Sequence, residues 1–101
     1  MVDLDNLFNN PLRVHVTRKD VLRGERCEHQ HCPVALATNR YLPEGYRSFV
    51  AVDEILILDW NNKPVAKAPT PECAKRFIRA FDQGGITQVE ELTFTLQLVA
   101  P

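Results

Sequence analysis

The cleanest pattern in the chain is Glu91-Leu92-Thr93-Phe94-Thr95-Leu96-Gln97-Leu98, where polar and apolar residues alternate strictly. A period of two places Leu92, Phe94, Leu96 and Leu98 on one face of a strand, turned to a core. Arg13-Val14-His15-Val16-Thr17 alternates in the same way and predicts a second half-buried strand. Two apolar runs, Phe49-Val50-Ala51-Val52 and Ile55-Leu56-Ile57-Leu58, predict two more, with Asp53-Glu54 as a tight turn or bulge between them. Asn61-Asn62 between Leu58 and Val65 predicts a further hairpin turn, because asparagine tolerates positive φ. Pro64 keeps the strand that follows short or at an edge.

Elsewhere the apolar spacing is helical. Thr17 is a suitable N-cap, and Asp20 three residues on makes an approximate capping box, with Asp in place of Glu or Gln. Val21 and Leu22 give this short helix an apolar face, and Gly24 ends it. Glu25 to His31 is polar and predicts a loop. Cys32-Pro33 opens a second helix, since proline at the first position loses no needed donor and has φ already set. Val34, Leu36, Ala37 and Tyr41 can pack inward from it, and Pro43-Glu44-Gly45 ends it. Thr70-Pro71-Glu72 opens a third helix with an N-cap, a first-position proline and an acid favoured by the helix dipole. Ala74, Phe77, Ile78 and Phe81 follow at helical spacing, and Gly84-Gly85 stops it.

Residues 1–12 read as a lead-in arm ending at Pro11, with Leu4, Leu7 and Phe8 available for docking, and residues 13–101 as one domain. The order β-α-α-β-β-(β)-α-β predicts an α+β fold. Its expected form is a mixed or antiparallel sheet of four to five strands, with two or three helices packed on one face.

Composition narrows the function. A chain of 101 residues holds one core, and folding buries roughly 60–70% of its unfolded surface, enough to fold unaided. A formal net charge of −1 argues against a general duplex-DNA binder held by charge. No apolar run approaches the ~20 residues that span a bilayer. The acidic start Met1-Val2-Asp3-Leu4-Asp5-Asn6 lacks the basic and apolar regions of a signal peptide, so a cytoplasmic location is expected. Three cysteines do not suggest a disulfide framework.

The densest chemistry is Cys27-Glu28-His29-Gln30-His31-Cys32. Cys27, His29, His31 and Cys32 could hold zinc, which takes four Cys or His ligands. Against this, His31 and Cys32 are neighbours, a second spaced ligand pair is missing, and only His15 and Cys73 remain elsewhere. The plainer reading is an exposed polar loop. Cys32 at a helix start next to His31 and His29 also has the setting of a reactive thiolate. No orienting group or oxyanion site completes such a nucleophile, so a packed cap-position cysteine accounts for it better. Asp53-Glu54 and Glu90-Glu91 are adjacent carboxylates that point to opposite faces of a strand. Gly84-Gly85 follows a helix, whereas a phosphate loop precedes one. No catalytic residue is assigned, and no cofactor is expected beyond the zinc alternative.

Arg13, Arg18, Lys19, Arg23 and Arg26 lie against Asp20 and Glu25 alone, a basic stretch that could bind nucleic acid, with Tyr41, Tyr46 and Arg47 as stacking surface. A solvated face is the alternative. Trp60, the single tryptophan, is either a core residue closing one end of the sheet or an exposed anchor for a protein partner. An exposed edge near Val65 would invite pairing with a second copy.

Through Val16-Thr17 to Asp20, Cys32-Pro33-Val34-Ala35-Leu36-Ala37, Phe77-Ile78 and Phe81-Asp82-Gln83-Gly84, the chain resembles a group of small proteins of unassigned function encoded by bacteriophages and bacterial genomes. The resemblance spans about residues 13–98. It implies a phage accessory protein with an α+β fold, and it assigns no catalytic or binding residue. The cysteine before proline belongs to the pattern, which has no clear counterpart of Cys27, His29 or His31. The expectation is a small non-enzymatic phage protein in the host cytoplasm that binds a host protein or itself. A nucleic-acid-associated factor and a zinc-stabilised module are the alternatives.

Overall fold

A computed structural model describes residues 4–84 and 89–101 of the chain. The two alternating segments pair with each other. β1 (Leu12–Val16) and β5 (Leu92–Leu96) run antiparallel, with Val14 opposite Phe94 and Leu12 opposite Leu96. Val14, Val16, Phe94 and Leu96 face the core, while Arg13, His15, Thr93 and Thr95 face solvent. The two apolar runs form the other sheet. β2 (Arg47–Val50) pairs with β3 (Glu54–Leu58), and β3 with β4 (Pro64–Pro69), both antiparallel. Asn62 takes a φ of 64° in the β3–β4 turn, as its residue type predicts. Asp59 Oδ1 accepts the N–H groups of Asn61 and Lys63 there, at 2.8 and 3.0 Å.

The α+β class holds, with five strands among the described residues, all antiparallel, but they divide into sheets of two and three. The division follows from proline. Along β4 the even-numbered residues turn their main-chain groups to β3, and Thr70 continues this by donating to the Asp53 carbonyl at 3.1 Å. Val65, Lys67 and Pro69 therefore face the outer edge. Lys67 exchanges two 2.9 Å bonds with Val99, just beyond β5. Pro69, the next outward position, has no N–H to give, so the ladder stops and the sheets part.

Four helices stand among the described residues. The N-terminal arm contains one of them, α1 (Leu4–Asn9), whose Leu7 is buried in the core and whose Phe8 packs at its margin. Residues 1–3 and the Leu4 side chain lie outside the described ones. α2 (Arg18–Arg23) begins on a full capping box: Thr17 Oγ1 accepts the Asp20 N–H at 3.3 Å, and Asp20 Oδ2 accepts the Thr17 N–H at 2.8 Å. Aspartate is thus long enough for the return bond. Val21 is buried, but Leu22 projects into solvent. α3 (Pro33–Asn39) has Cys32 at its N-cap without a side-chain bond and Pro33 in its first turn. It buries Val34, Ala35 and Ala37 against β1 and β2.

α4 (Glu72–Gly84) buries Ala74, Phe77, Ile78 and Phe81. Its opening is one residue later than expected. The Pro71 carbonyl accepts the first helical bond, from Lys75, and the Thr70 hydroxyl donates instead to the Ala51 carbonyl at 2.9 Å. The described part of α4 runs to Gly84, and Gly85 lies outside the described residues. No helix among the described residues is long and apolar enough to cross a membrane.

Candidate functional site

The loop between α2 and α3 is pinned to two other elements. Its ends close through the Glu25 N–H to the His31 carbonyl, at 2.8 Å. Cys27 takes a φ of 57°, uncommon for a side chain with a Cβ, and its N–H donates to Asp82 Oδ1 on α4 at 2.8 Å. On the other side, the His29 carbonyl accepts the Val50 N–H at 2.8 Å, and His29 Nδ1 lies 2.9 Å from the Val50 carbonyl. The imidazole stacks on Phe49, with centroids 4.6 Å apart. His29 thus occupies the outer edge of β2 at Val50 with one main-chain bond and its ring. Asp82 and Val50 are distant in sequence, so nothing local marks either contact.

This geometry separates the four expected zinc ligands. No three of Cys27, His29, His31 and Cys32 bring ligand atoms within 4.8 Å of one another; among the described residues that holds only for Glu25, Glu28 and His31, all exposed. His31 Nδ1 lies 3.7 Å from Glu28 and 4.0 Å from Glu25. The physical reason for the separation is direction: His29 turns to β2 and Cys32 turns into the core.

Cys27, His29 and Cys32 instead line a cleft of about 40 Å³ with Glu28, Val50, Val52, Ile78 and Asp82, room for a few waters. Burial pushes the Cys32 thiol up, and the Asp82 charge adds to this. The N–H groups of Val34 and Ala35 at the α3 start pull the other way without offsetting it. A thiol held protonated is a poor nucleophile. Alkylation by a small maleimide should therefore modify Cys27 first in the native protein and Cys32 only on unfolding, with half-buried Cys73 between them. Peptide mass mapping at timed intervals measures this. Equal rates at Cys27 and Cys32 would contradict the burial argument.

The basic stretch is fully exposed: Arg13, Arg18, Lys19, Arg23 and Arg26 all reach solvent. Asp20, one of the two acids expected to offset it, points the other way. Its carboxylate is buried and takes a two-pronged bond from Arg40 at the end of α3, with Nη2 to Oδ2 at 2.8 Å and Nη1 on Oδ1. Thr17 adds its N–H and its hydroxyl, at 2.8 and 3.0 Å. Arg40 Nη2 also donates to the His15 carbonyl at 2.9 Å, and Tyr41 Oη accepts the His15 N–H at 3.3 Å. Arg40 carries no local sequence signal. The only hint was an aspartate on the inner side of a short amphipathic helix, which demands a partner.

Trp60 is exposed, at 68% of its surface, so the core reading is wrong for it. It sits at the tip of the β3–β4 hairpin, outside the sheet. Tyr46 lies edge-on to it at 5.9 Å. Gly45, at a φ of 90°, passes beneath the indole. The expected open edge near Val65 is closed at Lys67 by Val99. Compared with protein-family models, curated proteins and solved structures, the chain matches none of them.

Proposed function

We propose that this is a small non-enzymatic accessory protein, of the phage type the resemblance implies, that acts by binding a host protein. The observation that supports this most is the exposed Trp60 propped against Tyr46. Exposing an indole at a hairpin tip forgoes about 2 kcal/mol or more of burial that the fold could have used. Tryptophan is also the residue most enriched among binding hot spots. The partner's matching feature is an apolar pocket that accepts an indole edge. A nucleic-acid-associated role through Arg13, Arg18, Lys19, Arg23 and Arg26 is the second reading, favoured by the withdrawal of Asp20 from that face.

The single tryptophan makes the first reading measurable. Free protein should emit like a solvated indole and be quenched readily by acrylamide. Bound to its partner, the emission should shift to the blue and lose that quenching. Trp60→Ala should weaken capture of the host protein about thirtyfold or more while stability changes by no more than about 0.5 kcal/mol. Binding unaffected by Trp60→Ala would reject the site. A salt-sensitive mobility shift of an oligonucleotide, unchanged by Trp60→Ala, would favour the second reading.

A further inference from the structure

We propose that β5 is a docking edge for a second copy of this chain, the two β5 strands pairing antiparallel about a two-fold axis at Thr93. Hydrogen bonding in the β1–β5 pair decides which main-chain groups are free. The N–H and C=O of His15 bond to Tyr41 and Arg40, so they point away from β5. By alternation, Leu12, Val14 and Val16 bond across to Leu96, Phe94 and Leu92. Thr93 and Thr95 then turn their N–H and C=O to the outer side, the side on which Val99 reaches Lys67. Pro69 ends that contact, and no described group bonds the main chain of Thr93 or Thr95.

The other edges are closed or guarded. On β2, the Ser48 N–H donates to Asn39 Oδ1 at 2.7 Å, and Val50 is taken by His29. On β1, His15 is taken and Arg13 adds a charge. On β4, Lys67 is paired and Pro64 and Pro69 flank it. Charges and prolines are the usual devices against edge pairing. Residues 92–101 have no charge, and no proline before Pro101.

Self-complementarity selects a second copy as the occupant. With the axis at Thr93, Thr93 faces the partner's Thr93 and Glu91 faces the partner's Thr95. No like charges meet, and a threonine pair is a favourable cross-strand match. An axis nearer Gln97 is blocked, because β4 closes on Val99 there. The result turns a two-stranded sheet, marginal by itself, into a four-stranded one. The edge is separate from Trp60, so Trp60→Ala leaves the dimer intact, and failure of host binding leaves this inference standing.

Sedimentation equilibrium of the full chain, from micromolar to millimolar, tests it. The wild type should dimerise reversibly. Thr93→Pro removes the outward N–H from both copies and should raise the dissociation constant about thirtyfold. Thr93→Lys, an exposed change that leaves the β1 ladder intact, covers the case in which the proline variant fails to fold. It and Thr93→Glu should each be monomeric, and an equimolar mixture of the two should dimerise again. A wild type monomeric throughout the range, or a dimer that survives Thr93→Lys, overturns the proposal.

Discussion

Arg40→Ala is expected to destabilise the fold by about 2–3 kcal/mol, one of the largest effects available outside the apolar core. Breaking a buried ion pair from one side costs about 3–5 kcal/mol, because the remaining charge stays buried without its partner. Here the estimate is lower because the Arg40 side chain is 45% exposed, so its removal lets water reach Asp20, which is itself only 6% exposed. The two Thr17 bonds also remain. In a domain of this size the loss corresponds to a fall of roughly 10–20 °C in Tm. Arg40→Lys should recover only part of it, since an ammonium cannot supply two parallel bonds and reach the His15 carbonyl together. The double variant Asp20→Asn/Arg40→Ala should be less destabilised than the sum of the single changes, as expected for residues in one network. A Tm within about 2 °C of wild type for Arg40→Ala would show that the pair does not hold α2, α3 and β1 together.

The same pair sets the response to acid. Burial by itself raises the Asp20 pKa, but the Arg40 guanidinium and the Thr17 N–H and hydroxyl outweigh it, so the carboxyl is held below the ordinary aspartate range. A group whose folded value lies below its unfolded value stabilises the fold fully above the unfolded value, near 3.9, and loses that contribution as pH falls through the folded one. Wild-type stability should therefore drop as pH falls from about 4 downward. Arg40→Ala should show a shallower drop, because part of what acid removes is already gone.

These two residues also show where the sequence is legible and where it is not. β1 and β5 were readable because alternation is local: each residue's face follows from its neighbour's. The α2 start was readable because Thr17 and Asp20 are three apart, within reach of one turn. Arg40 is twenty residues from Asp20, and no spacing rule joins them. The sheet division shows an intermediate case. Pro69 was visible, but its effect needs the knowledge that β4's outer side meets Val99, a contact over thirty residues long. His29 draws attention for its ring chemistry, whereas its carbonyl and ring are held by Val50, twenty-one residues on, which no spacing rule marks. Trp60 reads in the sequence either as core or as an exposed anchor, because a large aromatic serves in both places. Its place on a hairpin tip, next to Asn61-Asn62, was the better signal. α1 has too few residues and too little apolar periodicity to announce itself; Leu7 in the core and Phe8 at its margin anchor it.

Gly24→Ala is expected to cost about 2–3 kcal/mol, for a steric and not a conformational reason. Gly24 closes α2 with a φ of −70° and a ψ of 152°, a region open to any residue. What alanine lacks there is room. A Cβ on Gly24 would sit 2.4 and 2.5 Å from Cδ and Cγ of Pro33, and 2.7 Å from its nitrogen. The proline ring is rigid, fully buried and fixed at the start of α3, so the clash cannot be relieved by turning a side chain. Overpacking of this kind costs roughly 1–3 kcal/mol, and the Gly→Ala gain from a stiffer unfolded chain, about 0.4–1 kcal/mol, does not offset it. The displacement would also move the α2–α3 loop, whose Cys27 and His29 are tied to Asp82 and Val50. Cys32 should then alkylate faster in Gly24→Ala than in wild type at equal temperature. Adding Pro33→Ala should restore part of the stability, because the ring contacts go while the contact with the backbone nitrogen stays. Chemical denaturation of the wild type and the two variants separates these terms. If Gly24→Ala proves as stable as wild type, α2 and α3 do not approach this closely, and the tight joint between helix end and helix start is not what places Cys32 in the core.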